Sequence, residues 1–406
     1  MKNLFKKALS LLLVLAVSIS VCVGLVGCND TNKLTPEQIE QILSERRDTV
    51  ECYMREQCTV LWKASEDVNY SIDGGKVTFA IKEGEYYLGL PYSYGGNTLD
   101  SFLDYCSERD ENDVPILSGV NEENFGNFGT NIGNDCSSAV CLAWGTINAS
   151  IKDGSENTKY MCVDNGYIRV GDYTSNSADV EGTQSVCKSN GQEKMFNAYT
   201  QLKKGDAIIR RMGSGHVRMV VSIDVKRNSD GSINPFLSKV ICLEQTRSFH
   251  GNTTYFDEEL NAEVNMICGV DVAYTFFALF QDGYLPITCK ELRDASELPQ
   301  ESISDSVKNA SINDLFSGEI TSKYMITKVK VEITNSNGEV VQSLVKPAKR
   351  YSYYKFNMED FVTTEENFMK GKIDISSLEA GQYGCKVTVY TVTDKTFTTR
   401  NFTFQK

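Results

Sequence analysis

The strongest constraint on this chain is a short apolar segment that begins at a cysteine. Residues 133–144 read Gly-Asn-Asp-Cys-Ser-Ser-Ala-Val-Cys-Leu-Ala-Trp, and the apolar positions continue to Ile147 with the spacing of a helix. Polar residues flank Cys136 at the predicted start of this buried helix. The unpaired N–H groups and the dipole of a first helical turn favour negative charge. We therefore expect a thiol pKa lowered from about 8.5 to roughly 3.5–7.5, which would make Cys136 a nucleophile near neutral pH.

A partner base would distinguish such a nucleophile from one more buried cysteine among the 13 in the chain. The sequence offers only two histidines. His216 follows Gly-Ser-Gly and opens a β-branched run, which predicts a strand, whereas His250 lies in a predicted loop and is the weaker candidate. The predicted strand 238–246 ends in Glu244 and Gln245, and an acid there could hold an imidazole in its productive tautomer. The alternative for His216 is a satisfied histidine of the core.

Four motifs in order along the chain resemble those of NlpC-type cell-wall cysteine peptidases. They are Leu-Pro-Tyr-Ser-Tyr-Gly-Gly at 90–96, Asp-Cys-Ser-Ser at 135–138, Lys-Gly-Asp at 204–206 and Gly-His-Val at 215–217. The wider group includes the CHAP amidases, and its members share a papain-like core. The resemblance covers roughly residues 87–280, about half of the chain.

This resemblance implies a nucleophile at Cys136 and a general base at His216. Glu244 best matches the third residue, because Glu-Gln-Thr resembles the end of the equivalent strand in CHAP domains. NlpC enzymes more often use His, Asn or Gln there, which leaves Gln245 as the alternative.

The resemblance also implies a substrate-binding set. Tyr94, Asp135 and Ser137 match family positions that hold the free amine of a peptidoglycan stem peptide, although Tyr94 could instead pack the wall of the core. Two polar segments, 97–132 and 148–194, are long for the family and are expected to lie beside the cleft, either shaping substrate access or serving as structural insertions.

The implied activity is hydrolysis of an amide in a stem peptide, either at a D-Glu-to-diamino-acid bond or at the amide joining stem to glycan. Residue chemistry alone predicts only cysteine-dependent acyl transfer. The alternatives are a non-catalytic wall-binding or adhesion lipoprotein, and an acyltransferase or transglutaminase on the same core. We expect no cofactor and no metal, because no Cys-x-x-Cys spacing occurs. The net charge of −13 without a basic run argues against nucleic acid as a partner.

The first 27 residues predict a lipoprotein signal peptide. Three early lysines precede an almost wholly apolar stretch, and Leu25-Val26-Gly27-Cys28 resembles the bacterial lipobox. A transmembrane anchor is the alternative, because the apolar run is nearly long enough to span a bilayer. Lipidation of Cys28 would attach the protein to the extracytoplasmic face of a bacterial membrane.

The rest of the chain predicts an α+β protein in several parts. We expect a tether over 28–34, an N-terminal helix packed on the core over 35–66, a papain-like peptidase domain over 67–288, a linker over 289–318, and an Ig- or fibronectin-like β-sandwich over 319–406. The β-sandwich could bind wall, bind a partner or act as a spacer. Export permits disulfides, and Cys162–Cys187 is the first pair to test.

Overall fold

The computed structural model describes residues 34–72, 75, 77–106, 108–120, 128–147, 151, 157–175, 182–211, 215–247, 253–363 and 370–406. The predicted signal peptide, Cys28 and His250 lie outside these residues. None of the helices within them is both long enough and apolar enough to cross a membrane. The structure is α+β, as predicted.

The helices are α1 (Pro36–Thr59), α2 (Leu99–Leu103), α3 (Phe128–Asn131), α4 (Cys136–Gly145), α5 (Thr183–Asn190), α6 (Gln192–Tyr199), α7 (Phe276–Asp282) and α8 (Asp360–Thr363). The strands of the first part are β1 (Leu61–Ala64), β2 (Val68–Ile72), β3 (Val77–Ile81), β4 (Tyr86–Leu88), β5 (Glu108–Arg109), β6 (Pro115–Leu117), β7 (Tyr167–Arg169), β8 (Ala207–Arg210), β9 (His216–Asp224), β10 (Lys239–Gln245), β11 (Thr254–Asp257), β12 (Ala262–Met266), β13 (Cys268–Thr275) and β14 (Leu285–Cys289). The later strands are β15 (Ile303–Asp305), β16 (Glu319–Ser322), β17 (Ile326–Thr334), β18 (Val340–Pro347), β19 (Lys355–Asn357), β20 (Lys370–Gly371), β21 (Gln382–Thr391) and β22 (Thr396–Gln405).

The first helix is shorter than the sequence predicted. Helix α1 begins at Pro36 and ends at Thr59, and Leu61 lies in β1 rather than on the helix. Val50 and Met54 are buried, as expected of the apolar face. The helical pattern extends to Leu61 by coincidence of spacing, but β1 pairs with β4 and β6, and these ladders fix an extended backbone.

Two six-stranded sheets and the two-stranded sheet β2-β3 build the described part of the chain that precedes β15. One has the order β13-β10-β9-β8-β14-β7 and is antiparallel throughout. The other has the order β11-β12-β4-β1-β6-β5. Helix α4 packs against β9 and β10, and every residue of α4 is buried. This packing brings the start of α4 to the start of β9, where the candidate nucleophile and base lie.

The two long polar segments are not simple surface excursions. Segment 97–132 contains α2 and contributes β6 to the sheet beside β1. Segment 148–194 contributes β7 to the sheet beside β14, and its α5 buries Cys187. Their short elements lack the periodicity that would reveal them in the sequence.

The C-terminal region contains a five-stranded antiparallel sheet, β20-β18-β17-β21-β22, and a three-stranded sheet, β15-β16-β19. The predicted linker 289–318 is not a loose connection, because β15 belongs to the second of these sheets. Asp305 of β15 forms a buried ion pair with Arg400 at 2.8 Å. Backbone carbonyls of Glu291, Asp294 and Ser296 accept hydrogen bonds from the buried Arg46 of α1.

One hydrophobic core joins α4 to the C-terminal strands, and Gln41–Lys406 forms a single compact unit. Met325 packs so closely on Gly145 that a Cβ at Gly145 would lie 2.8 Å from its Sδ. Lys328 bridges to Asp100 at 3.0 Å and Asp104 at 2.6 Å. The predicted domain boundary is therefore not a break in packing.

The cysteines that the structure describes are not joined in disulfides. Cys162 and Cys187 are both buried but unbonded, so the disulfide considered for them is not formed. The sulfur of Cys187 instead lies 3.8 Å from the carbonyl oxygen of Tyr284.

Candidate active site

Cys136 is the first residue of α4, as the sequence predicts. Asp135 caps the helix, because its Oδ1 accepts hydrogen bonds from the Ser138 N–H at 2.8 Å and the Ser137 hydroxyl at 3.1 Å. Cys136 is only 3% exposed, yet it lines a pocket of about 640 Å³ together with Asp135, Ser137 and Tyr94.

The thiol of Cys136 does not have the low pKa expected of its position. Burial, reinforced by the charge of Asp135, raises its pKa to about 12. The Val217 N–H, the charge of Arg350 and the Tyr92 hydroxyl act in the opposite direction but are outweighed. The expectation of a lowered thiol pKa was wrong, because burial and the charge of Asp135 outweigh the groups that favour the thiolate. In the resting protein the thiol is protonated and needs a base.

His216 is the first residue of β9. The next residue, Val217, contacts the Cys136 sulfur through its backbone N–H. Its Nε2 lies 2.6 Å from Oε2 of Glu244. Burial lowers the pKa of His216 below 6.5, although Glu244 acts to raise it and Arg218 adds to the lowering. A neutral imidazole whose Nε2–H is donated to a carboxylate has an unprotonated Nδ1, which is the form that accepts a proton.

Glu244 is ionised and held from three sides. Burial acts to raise its pKa, but hydrogen bonds and charges from His216 and Arg218 hold the pKa at about 2. Arg218 Nε donates to Oε2 at 2.7 Å, and the Tyr274 hydroxyl donates to Oε1. The Arg218 guanidinium lies over the rings of Tyr274, at 3.8 Å, and Tyr284, at 4.4 Å. Arg218 follows His216 by two residues, so both side chains leave β9 on the same face.

The position of Glu244 depends on an irregularity in the sheet. The pairing of β10 with β13 shifts register between Cys242 and Glu244, and Glu244 then pairs with Gly269. A Cβ at Gly269 would lie 2.6 Å from Glu244 Cγ. Gly269 therefore provides the space that the Glu244 side chain occupies.

Gln245, the alternative third residue, points away from His216 to the loops that carry the motifs. Its Nε2 donates to the Leu90 carbonyl at 2.7 Å and to Asn134 Oδ1 at 2.9 Å. Its Oε1 accepts from the Cys268 thiol at 3.2 Å. Gln245 thus fixes the segment around Pro91 beside the segment that precedes Cys136.

Tyr94, Asp135 and Ser137 meet at the pocket, but a fourth residue contacts all three. Arg350 Nη2 lies 2.6 Å from Asp135 Oδ2 and 3.4 Å from Ser137 Oγ, and the guanidinium lies 5.4 Å from the centre of the Tyr94 ring. Sequence reasoning missed Arg350 because it lies 214 positions after Cys136, in the C-terminal region.

Arg218, Tyr92 and Tyr274 were also missed. Arg218 could have been found from its two-residue spacing to His216 on a predicted strand, and Tyr92 from its place inside the Leu-Pro-Tyr motif. Tyr274 carried no signal, because only the pairing of β10 with β13 brings it to Glu244.

No protein-family model matches the chain, and no curated protein matches it significantly. Within the described residues, no three His, Cys, Asp or Glu side chains are grouped so as to hold a metal ion. The geometry of the site itself therefore carries the functional argument.

Proposed function

We propose that this protein hydrolyses an amide bond through Cys136, with His216 as general base and Glu244 as the residue that orients it. The observation that carries the proposal is the hydrogen bond between His216 Nε2 and the ionised Glu244. It fixes the imidazole through Nε2, and His216 directly precedes Val217, whose N–H contacts the Cys136 sulfur.

In the first step, His216 Nδ1 accepts the thiol proton while the sulfur attacks the substrate carbonyl carbon. The resulting imidazolium is stabilised by Glu244 and donates its proton to the leaving amine, which breaks the C–N bond and leaves a thioester. Water then attacks the thioester, with His216 again accepting a proton, and hydrolysis releases the acid and the Cys136 thiol.

Two groups are placed to stabilise the developing oxyanion. One is the backbone N–H of Cys136 at the first position of α4. The other is the Tyr92 hydroxyl, which contacts the sulfur. Burial raises the pKa of Tyr92, so the hydroxyl remains a proton donor across the working pH range.

Two features support a papain-like core of the NlpC type. The first is the order of the four motifs along the chain. The second is the packing of α4 on the antiparallel strands β9 and β10, which carry His216 and Glu244. The two C-terminal sheets support a β-sandwich of the Ig or fibronectin type. We propose peptidoglycan stem peptides as substrate on the same resemblance.

The lipobox supports attachment to the extracytoplasmic face of a bacterial membrane through Cys28. Cys28→Ala should move the protein out of the membrane fraction or block its maturation, as measured by fractionation and intact mass. Normal processing with full membrane retention would argue against lipidation.

The test of the activity is digestion of purified muropeptides followed by mass analysis. The wild type should release fragments cut at one amide bond, and Cys136→Ala should release none. Cys52→Ala, which removes an exposed thiol on α1, should cut like the wild type. Equal cleavage by Cys136→Ala would reject the mechanism, and binding without cleavage by the wild type would favour a non-catalytic wall-binding protein.

A further inference from the structure

One wall of the pocket beside Cys136 comes from the C-terminal region. Strand β18 ends at this pocket, and residues 348–351 continue along it. The charged side chains lining the pocket within the described residues are one acid, Asp135, and three bases, Lys346, Lys349 and Arg350. The pocket is therefore more positive than negative next to the proposed nucleophile.

Arg350 lies where an ammonium group was expected to bind. Its guanidinium pairs with Asp135 at 2.6 Å, and both side chains are more than nine-tenths buried. Asp135 is thus already neutralised, and an incoming ammonium would have to displace Arg350 and leave a buried guanidinium unpaired, which is costly.

Arg350 also retains an unused donor. Its Nε is buried and has no hydrogen-bond partner among the described residues. A buried N–H without an acceptor is rare and unfavourable, and an acceptor on a ligand would remove that cost. The forked donors of a guanidinium match the two oxygens of a carboxylate.

We propose that Arg350 is a specificity-determining residue that binds a carboxylate of the substrate beside Cys136. This inference rests on the proposed function for the nature of the substrate. In a stem peptide the matching group is the free α-carboxylate of a glutamyl residue that is joined through its side chain. Such a group leaves the pair between Arg350 and Asp135 in place and is attracted by the charge of Lys346, whereas Lys349 is already paired with Asp360. The C-terminal region then forms part of the substrate site.

Binding to the full chain carrying Cys136→Ala tests this proposal without catalysis. Two stem tripeptides, with the glutamyl α-carboxylate free or amidated, are compared by calorimetry. The acid form should bind roughly ten- to a hundred-fold more tightly, as expected for a hydrogen bond between charged groups. Adding Arg350→Met should abolish this preference. Adding Lys349→Met, whose side chain pairs with Asp360, should preserve it.

Asp135→Asn in the same Cys136→Ala background gives a second test, in which binding of the acid form is expected to strengthen. Asparagine also caps helices, so α4 remains capped while the negative charge beside Arg350, which repels an incoming carboxylate, is removed. The peptide with the free α-carboxylate should then bind more tightly to the Asp135→Asn variant than to the protein that carries Cys136→Ala alone.

Equal affinity for the two peptides would overturn the proposal. So would weaker binding to Asp135→Asn together with loss of binding when the peptide amine is acetylated, because that combination indicates ammonium recognition. Faster hydrolysis of both peptides by Arg350→Met than by the wild type would instead show Arg350 to be inhibitory. If the preference is found but the wild type cleaves neither peptide, the proposed function fails and the carboxylate site stands.

Discussion

Arg218 is one of the charged residues that set the pKa of the proposed base. Burial lowers the pKa of His216 below its usual value of 6.5, Glu244 acts to raise it, and Arg218, which pairs with Glu244, adds to the lowering. The acid limb of kcat/KM, which reports the free base, should therefore lie below pH 6.5.

Arg218→Gln should move that acid limb to higher pH. Loss of the positive charge leaves Glu244 as the unopposed neighbour of His216, and the pKa of the imidazole rises. Arg218→Lys, which retains the charge, should move it less. A pH profile of kcat/KM for the three proteins makes the measurement, and an unmoved or lowered limb in Arg218→Gln would contradict the assigned electrostatics.

Residue-level reasoning predicted some of this site but not its charge state. The positions of Cys136 and His216 follow from local patterns, a polar start to an apolar helix and a glycine-rich entry to a strand. The high pKa of Cys136 follows from burial by distant segments, which no local pattern encodes.

At the scale of elements, the register of β10 against β13 decides which side chain reaches His216. Gly269→Ala tests this directly, because its Cβ would lie 2.6 Å from Glu244 Cγ and push the carboxylate away from the imidazole. We expect kcat to fall by roughly ten- to a hundred-fold, in the range seen when a supporting partner is disturbed.

The matched control is Gly381→Ala, where the nearest atom to the new Cβ is 3.7 Å away. Its kcat and melting temperature should equal those of the wild type. An unchanged kcat in Gly269→Ala would show that the reaction does not depend on the position of Glu244.

The choice between Glu244 and Gln245 shows where prediction from sequence stops. Both residues are polar and adjacent, and the strand itself was predicted. Which one faces the base depends on a register shift between Cys242 and Glu244 that arises from pairing with β13. Such non-local irregularities have no signature in one strand's sequence.

At the scale of the whole molecule, segment 290–314 of the predicted linker 289–318 joins the two parts tightly instead of separating them. Arg46 donates to three of its backbone carbonyls, and Asp305 pairs with Arg400. The polar composition of this segment is typical of a linker. Composition alone does not show that its polar groups are paired with distant residues.

Limited proteolysis with subtilisin should therefore leave 290–314 uncut in the wild type. Arg46→Ala removes the shared donor and should lower the free energy of unfolding by about 1–3 kcal/mol. It should also make this segment the site of cleavage. Lys290→Ala, which breaks only an exposed pair at 3.6 Å, should behave like the wild type. Rapid cleavage of the wild type into two folded pieces would restore the interpretation as a linker.

In the proposed mechanism, Cys136 carries the acyl group of the substrate. Acid quenching of the wild type during turnover of a stem peptide, followed by peptide mass mapping, detects this intermediate. We expect an acyl adduct on the peptide that contains Cys136, with mass equal to the acyl fragment. The same map of Cys136→Ala should show neither adduct nor product. Product formation by Cys136→Ala at the wild-type rate would show that Cys136 is not the nucleophile.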